Sequence, residues 1–142
     1  MRPIGVTLIA IYQVLRGLVG MLFACGILVS AGLALKLAAI SAEGNALERW
    51  LQGMGHMLGI SILVFGLIHV IAGIGLFGMK NWARLLTVLL SAIGLVLLLP
   101  VAIVTHGIPL VFVLLNMVSI FYLAMPPMRR TFRGDRAAMR AA

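Results

Sequence analysis

Four polar side chains lie inside long apolar stretches of this 142-residue sequence: Gln13, His69, Ser91 and Asn116. Polar groups within a membrane are costly, and they are therefore the first candidates for a functional site. Each lies about ten residues from one end of its stretch, or roughly 12–15 Å along a helix, so we expect the four to share one layer. That layer could hold the headgroup of a quinone, a lipid or another amphiphile. It could instead consist of hydrogen bonds between helices, each worth about 0.6 kcal/mol, that fix the helix register.

Arg16 is a fifth candidate, and its role depends on how the first apolar stretch crosses a membrane. If the membrane core begins near Ile4, Arg16 is buried at a depth of roughly 20 Å and Cys25 lies near the outer surface. If Arg16 and Lys36 instead flank the membrane segment, residues 3–13 lie along or below the inner surface and Cys25 is central. The second arrangement avoids a buried arginine, and it is the one we expect.

The sequence offers little for catalysis or metal binding. The acids Glu43, Glu48 and Asp135 all lie outside the apolar stretches, which disfavours proton- or cation-coupled transport. No Ser/His/Asp set, paired carboxylates or cluster of metal ligands is present. A haem between two histidines would need a second histidine opposite His69 on another apolar stretch, and there is none, so the alternative that stays open is a haem or chlorophyll held by His69 alone. We therefore expect neither an enzyme nor a cofactor.

Composition identifies the class of protein. Hydrophobic residues make up 63% of the sequence and charged residues 10%, against about 45–50% and 25% in soluble proteins. The net charge of +8 could suggest a nucleic-acid partner. However, the cations cluster at the C-terminus and at the ends of apolar stretches, as membrane topology requires, so we expect no nucleic-acid binding.

The apolar stretches predict an all-α fold, an integral membrane four-helix bundle. A polar loop between Ser41 and Gly53 separates the first two helices, and Pro126 and Pro127 end the fourth. We assign residues 1–125 to the transmembrane domain and residues 126–142 to a basic cytoplasmic tail. The predicted spans cover about 4–38, 54–79, 83–104 and 109–125.

Charges in the loops predict the orientation. With both termini in the cytoplasm, eight of the Lys and Arg residues lie on that side and two on the other. In the tail, an arginine stripe lies beside an apolar stripe that includes Phe132, a layout typical of a surface segment on anionic lipid. The alternative is that the tail only sets topology. The candidate lipid-headgroup residues are Arg129, Arg130, Arg133, Arg136 and Arg140.

Small residues predict the faces through which the helices pack, because close backbone approach drives helix association in lipid. On the second helix they recur every seven residues, and Gly75 lies off that stripe. The first helix offers a similar face that also carries Gln13, Ala24 and Ala31, and Thr87 shares such a face on the third. The predicted packing glycines are Gly17, Gly20, Gly59, Gly66, Gly73 and Gly94.

Three features of the sequence carry a resemblance to known proteins. The opening Arg2-Pro3-Ile4-Gly5-Val6-Thr7, the hairpin Gly78-Met79-Lys80-Asn81-Trp82-Ala83-Arg84 and the basic tail resemble small bacterial four-helix membrane proteins of unknown function. The resemblance implies four spans in a bacterial inner membrane with both termini inside. It brings no catalytic residue with it.

From these patterns we expect an accessory or scaffolding subunit of a membrane assembly. Its partners would be a bilayer with anionic lipids at the cytoplasmic face and other membrane-protein subunits or a second copy of itself. The alternative is a binder or carrier of a lipophilic small molecule, a quinone or a lipid, that uses the predicted polar layer.

Overall fold

A computed structural model describes residues 3–41, 46–105, 107–128 and 131–132. The described residues are almost entirely helical, with three long apolar helices and one shorter helix, so the all-α prediction is confirmed. The helices are α1 (Ile4–Ser41), α2 (Ala46–Phe77), α3 (Asn81–Thr105) and α4 (Ile108–Ala124).

Three segments among the described residues are long and apolar enough to cross a membrane. They are Ile4–Ala34, Gly53–Phe77 and Asn81–Thr105. The fourth apolar helix, Ile108–Ala124, is 17 residues long, about 25 Å, and so is slightly short for a bilayer core of about 30 Å. These lengths indicate a membrane protein.

The first connection is shorter than predicted. We expected a polar loop from Ser41 to Gly53, but α1 continues to Ser41 and α2 begins at Ala46, so that prediction was wrong over residues 46–53. The segment 46–52 consists mostly of good helix formers, and their propensity outweighs their polarity. Residues 42–45 of the predicted loop lie outside the described residues.

The other helix ends follow local backbone chemistry. Between α2 and α3 the chain turns through Met79, which has a φ of 51°, and Lys80 N donates to Gly75 O at 3.1 Å. Gly107, with a φ of 79°, precedes α4. Helix α4 ends before Met125, whose ψ of 140° is the extended conformation that a following proline favours. Pro126 thus ends α4 as predicted.

The chain divides into two compact units. The terminal unit contains Met1–Val14 and Ile71–Ala142, and the hairpin unit contains Leu15–Val70. Helix α1 therefore contributes its first turns to the terminal unit and its remainder to the hairpin unit.

The core of the terminal unit forms where α3 packs against α4 and the start of α1. Buried residues on α3 and α4 recur at intervals of three and four, the spacing that keeps side chains on one helical face. Glycine at position 73 brings α2 close to Ala10 O and Val14 of α1. The buried apolar cluster consists of Val6, Ile9, Ala10, Leu76, Ala83, Leu123 and Phe132.

This packing bears on the first residues of α1. We expected residues 3–13 to lie along or below the inner membrane surface. Helix α1 is continuous from Ile4, and Val6 and Ile9 are packed in the core of the terminal unit together with Leu76 and Leu123. The segment is therefore part of the helical core of that unit, and its depth relative to a membrane stays a prediction.

In the hairpin unit, α1 and α2 run antiparallel and meet backbone to backbone. A Cβ added to Gly66 would lie 2.8 Å from Gly17 O, and one added to Gly17 would lie 2.5 Å from Gly66 O. Farther along, a Cβ at Gly59 would lie 2.8 Å from the side chain of Leu28. The crossing at Gly17 and Gly66 has no space for any side chain.

Because Gly75 lies off the glycine stripe, a side chain there was expected to be tolerated better than one at Gly66, but Gly75 is also closely packed. A Cβ at Gly75 would lie 2.5 Å from Ala83 Cβ and 2.9 Å from the indole ring of Trp82. The reason is the tight turn after Phe77, which folds the start of α3 directly onto this side of α2.

Gly66→Ala should reduce stability, because the new methyl group meets the Gly17 carbonyl rather than a side chain that can move. We expect a loss of about 1–3 kcal/mol, measured by thermal unfolding in detergent. The matched control is Gly26→Ala on α1, where a Cβ has nothing within 4 Å. The control should be neutral or stabilising by up to about 1 kcal/mol. Equal losses in the two variants would contradict this account of the crossing.

Candidate functional site

A buried polar layer lies in the terminal unit, formed by Gln13 of α1, Thr87 and Ser91 of α3, and Asn116 of α4. Gln13 Nε2 donates a hydrogen bond to Ser91 Oγ at 3.5 Å, the long limit for such a bond. Thr87 and Ser91 are four residues apart and share the face of α3 that is buried in this unit. Gln13 and Ser91 therefore lie together as expected from their positions in the sequence, and Asn116 is buried in the same unit.

The polar layer is closed to solvent. Gln13, Thr87, Ser91 and Asn116 each have 0% of their surface exposed, so no space large enough for a water molecule adjoins any of them. A headgroup could enter only if the helices moved apart. The layer as it stands can supply hydrogen bonds between helices, which is the second of the two roles that the sequence allows.

Two oxygen atoms of the polar layer lack a hydrogen-bond partner among the described residues. They are Gln13 Oε1 and Thr87 Oγ1. Thr87 differs in this from Ser119, Thr105 and Ser61, each of which donates to the carbonyl four residues earlier at 2.8 Å. An unsatisfied buried oxygen is costly, so these two atoms limit how much the layer stabilises the bundle.

His69 and Arg16 lie in the hairpin unit. His69 Nδ1 is 2.8 Å from Phe65 O, one turn earlier on α2. A carbonyl oxygen only accepts hydrogen bonds, so Nδ1 carries a proton, and in the neutral imidazole Nε2 is then an acceptor. His69 is 93% buried, because only 7% of its surface is exposed, and Nε2 has no partner among the described residues. Arg16 is partly buried on α1, next to Gly17.

Arg84 is a buried cation that the sequence reasoning counted only as a loop charge. Its guanidinium donates from Nε to Asn81 Oδ1 at 3.1 Å and from Nη1 to Leu123 O at 3.3 Å. It also lies over the ring of Phe132, with Cζ 6.0 Å from the ring centroid, at the limit of a cation–π contact. The spacing in the sequence could have predicted this burial, because Arg84 precedes Thr87 by three residues and so falls on the same buried face of α3.

The start of the tail is packed against the terminal unit. Residues 126–128 and 131–132 are helical, and Thr131 Oγ1 donates to Pro127 O at 3.0 Å. We expected Phe132 on an apolar stripe facing lipid, but it is 7% exposed and belongs to the protein core, so that expectation was wrong. The ring of Phe132 packs against the apolar cluster and the guanidinium of Arg84. The candidate headgroup residues Arg129, Arg130, Arg133, Arg136 and Arg140 lie outside the described residues.

The glycines proposed for helix packing differ in their surroundings. Gly17, Gly59, Gly66, Gly73 and Gly94 are buried. Gly20 is partly buried, and a Cβ there would lie 3.8 Å from Gly66 Cα, which is ordinary contact. Among the described residues there is no group of three or more His, Cys, Asp or Glu side chains that could hold a metal ion.

The chain matches no protein-family model, no curated protein and no solved structure.

Phe132→Ala should destabilise the terminal unit, because it removes a buried ring from the core and from its contact with Arg84. We expect a loss of about 3 kcal/mol, measured by thermal unfolding of the full chain in detergent. The control is Phe121→Ala on α4, since that ring is 72% exposed. The control should change stability little. If the tail instead rests on the lipid surface, Phe132→Ala should lower stability as little as the control does.

Proposed function

We propose that this chain is a small multi-pass protein of a bacterial inner membrane that serves as an accessory or scaffolding subunit. It packs its helices against other membrane components, and it performs no catalysis of its own. Both termini lie in the cytoplasm, where the basic tail binds anionic lipid with about 1 kcal/mol per arginine near the surface.

The observation that carries the proposal is an open groove on α1. Its volume is about 400 Å³, and it is lined by Leu22, Phe23, Gly26, Ile27 and Ser30. A Cβ on Gly26 would have nothing within 4 Å, whereas one on Gly66 would meet backbone. Gly26 and Ser30 are four residues apart, the small-xxx-small spacing that lets a second helix approach closely in lipid. This groove suits a helix from another chain.

The closed polar layer supports a scaffold over a carrier of quinone or lipid. A carrier needs a cavity that the ligand enters and leaves, and ligand pockets usually measure about 300–1,000 Å³. Gln13 and Asn116 have no exposed surface on which a headgroup could bind. One observation favours the carrier. Gln13 Oε1 and Thr87 Oγ1 have no hydrogen-bond partner among the described residues, and a donor group of a ligand could bond to them if the helices separated.

Packing at the start of α1 supports a membrane core that begins near Ile4. Val6, Ile9 and Ala10 are buried among residues of the other helices, as residues within the spans would be. With a core that begins near Ile4, at 1.5 Å per residue, Cys25 lies about 31 Å farther along the helix, close to the full thickness of the core. We propose this register in place of the one that the sequence favoured.

Cys25 is the only cysteine in the chain and is exposed on α1, so it reports this register directly. In sealed vesicles, a membrane-impermeant maleimide should label Cys25 rapidly from the side opposite the N-terminus. A Cys25→Ser variant, unlabelled throughout, measures the background. Labelling only after denaturation would instead place Cys25 in the middle of the membrane and support the register bounded by Arg16 and Lys36.

The scaffold proposal is tested with a photo-crosslinking amino acid placed at Phe23, on the rim of the groove. The control position is Leu97 on α3, whose side chain is 65% exposed outside the groove. After irradiation of host membranes, position 23 should yield a discrete protein adduct and position 97 should not. Gly26→Leu should fill the groove and reduce that adduct at least about tenfold while the protein stays folded.

Native mass spectrometry after mild extraction distinguishes the scaffold from the carrier. A co-purifying protein subunit, or a second copy of the chain, supports the scaffold. A retained small molecule with no protein partner, and equal crosslinking from positions 23 and 97, would contradict it and support the carrier of a lipophilic molecule.

A further inference from the structure

We propose that the start of the basic tail is a strap that anionic lipid releases from the protein core. In the docked state, which is the state of this structure, the ring of Phe132 lies in the core of the terminal unit. In the released state, Phe132 leaves the core and enters the lipid surface to which the tail arginines bind. This inference rests on the proposed binding of the tail to anionic lipid, and it adds a conformational response to the charge of the membrane.

Apolar packing supplies most of the docking. Phe132 is 7% exposed and belongs to the buried cluster that also contains Leu76, Ala83 and Leu123. The guanidinium of Arg84 lies over the ring, but its Cζ is 6.0 Å from the ring centroid, at the limit of a cation–π contact. The ring is therefore held by its apolar surroundings more than by the cation.

One ring anchors the described part of the strap. Of residues 126–128 and 131–132, only Phe132 is buried, and Met128 is partly buried. Thr131 Oγ1 donates to Pro127 O at 3.0 Å, a bond within the strap that release does not have to break. Release of these residues therefore mainly requires that the ring of Phe132 leave the core.

Transfer of this ring into lipid costs less than transfer into water. Lipid chains are as apolar as the side chains of a protein core, so the ring keeps an apolar environment and loses mainly its close packing. Arg84 keeps other partners in the released state, because Nε donates to Asn81 Oδ1 at 3.1 Å and Nη1 donates to Leu123 O at 3.3 Å. Release thus leaves neither an apolar ring in water nor a buried cation without hydrogen bonds.

Charge favours release on an anionic surface. The docked ring lies beside Arg84, whose backbone N–H donates to Lys80 O at 3.3 Å, so two cations already lie at this end of the unit. Residues 126–142 add five arginines and a single acid, Asp135. Docking therefore brings like charges together, whereas anionic headgroups attract each arginine near the surface.

The docked and released states exclude each other. The sequence predicts a tail helix with an arginine stripe beside an apolar stripe that includes Phe132, and such a helix lies on a membrane with its apolar stripe in the lipid. A single ring cannot occupy the protein core and the lipid at the same time. Binding of the complete stripe to the membrane therefore competes with docking, and the charge of the lipid sets the balance.

The distance between two spin labels tests the proposal in the full-length chain. The labels are attached to Thr131→Cys and Leu85→Cys, both at exposed positions, in a Cys25→Ser background. Nanodiscs of phosphatidylcholine should give one short distance. Replacing about a third of the lipid with phosphatidylglycerol should raise the population of a longer distance at least about fivefold. Salt at about 1 M, which screens these charges, should reverse the change.

Two sets of variants separate charge from docking. Arg136→Gln combined with Arg140→Gln removes two tail charges and should suppress the longer distance in anionic nanodiscs. Phe132→Ala should give the longer distance even in neutral nanodiscs, whereas Phe121→Ala, at a ring that is 72% exposed, should change nothing. A longer distance that dominates in neutral nanodiscs without these substitutions would overturn the docked state.

A fluorine resonance keeps the proposal testable if a label at position 131 disturbs docking. With 4-fluorophenylalanine at position 132 and no label, the resonance should move when anionic lipid is added, and the same probe at position 121 should not respond. An unmoved resonance at position 132 would overturn the proposal.

A spin label on Ala142→Cys distinguishes failure of this inference from failure of the proposed lipid binding. If anionic lipid immobilises this label while the resonance at position 132 stays unmoved, the tail binds lipid without release and only the strap is overturned. If neither signal responds, the proposed lipid binding is overturned together with the strap.

Discussion

The close approach of two helix backbones at Gly17 and Gly66 is the constraint on which the hairpin unit depends. Lipid is as apolar as leucine, so burial of apolar side chains gives little reason for helices to associate in a membrane. Dispersion contacts between closely packed backbones replace that driving force, and they require the absence of side chains at the crossing. The same close approach fixes which segments of α1 and α2 lie level with one another, since Gly17 lies opposite Gly66 and Gly59 lies opposite Leu28.

The terminal unit adds a second kind of contact, because buried polar groups as well as glycines lie on its packed faces. Gln13 bonds Ser91 across helices, and Arg84 reaches Leu123 O and the ring of Phe132. A carbonyl at the end of a helix carries partial negative charge and lacks an intrahelical partner. Arg84 supplies the missing donor there, so the buried cation also helps to close the end of α4.

Periodicity and composition predicted the helical class, the approximate helix positions and the buried faces of α3 and α4, because those properties repeat along the chain. The surroundings of some residues depend on contacts between helices, which a repeating pattern does not predict. The sequence indicated that Arg84 is a loop cation and Phe132 a lipid-facing aromatic, yet both are buried, and the guanidinium lies over the ring. Gly75 lies off the glycine stripe, and only the turn after Phe77 brings it against Ala83. Such pairings join residues that are distant or separated by a turn, so no local spacing reveals them.

Two glycines of α1 have opposite effects on helix packing. Gly17 is buried against α2, and a side chain there would separate the helices. Gly26 faces open space, so its missing side chain has no structural use within the chain and lowers helix propensity by about 1 kcal/mol relative to alanine. The presence of such a glycine has an explanation if another molecule occupies the space where its side chain would lie. The open space at Gly26 is therefore the place on α1 where we propose that a helix of another chain packs.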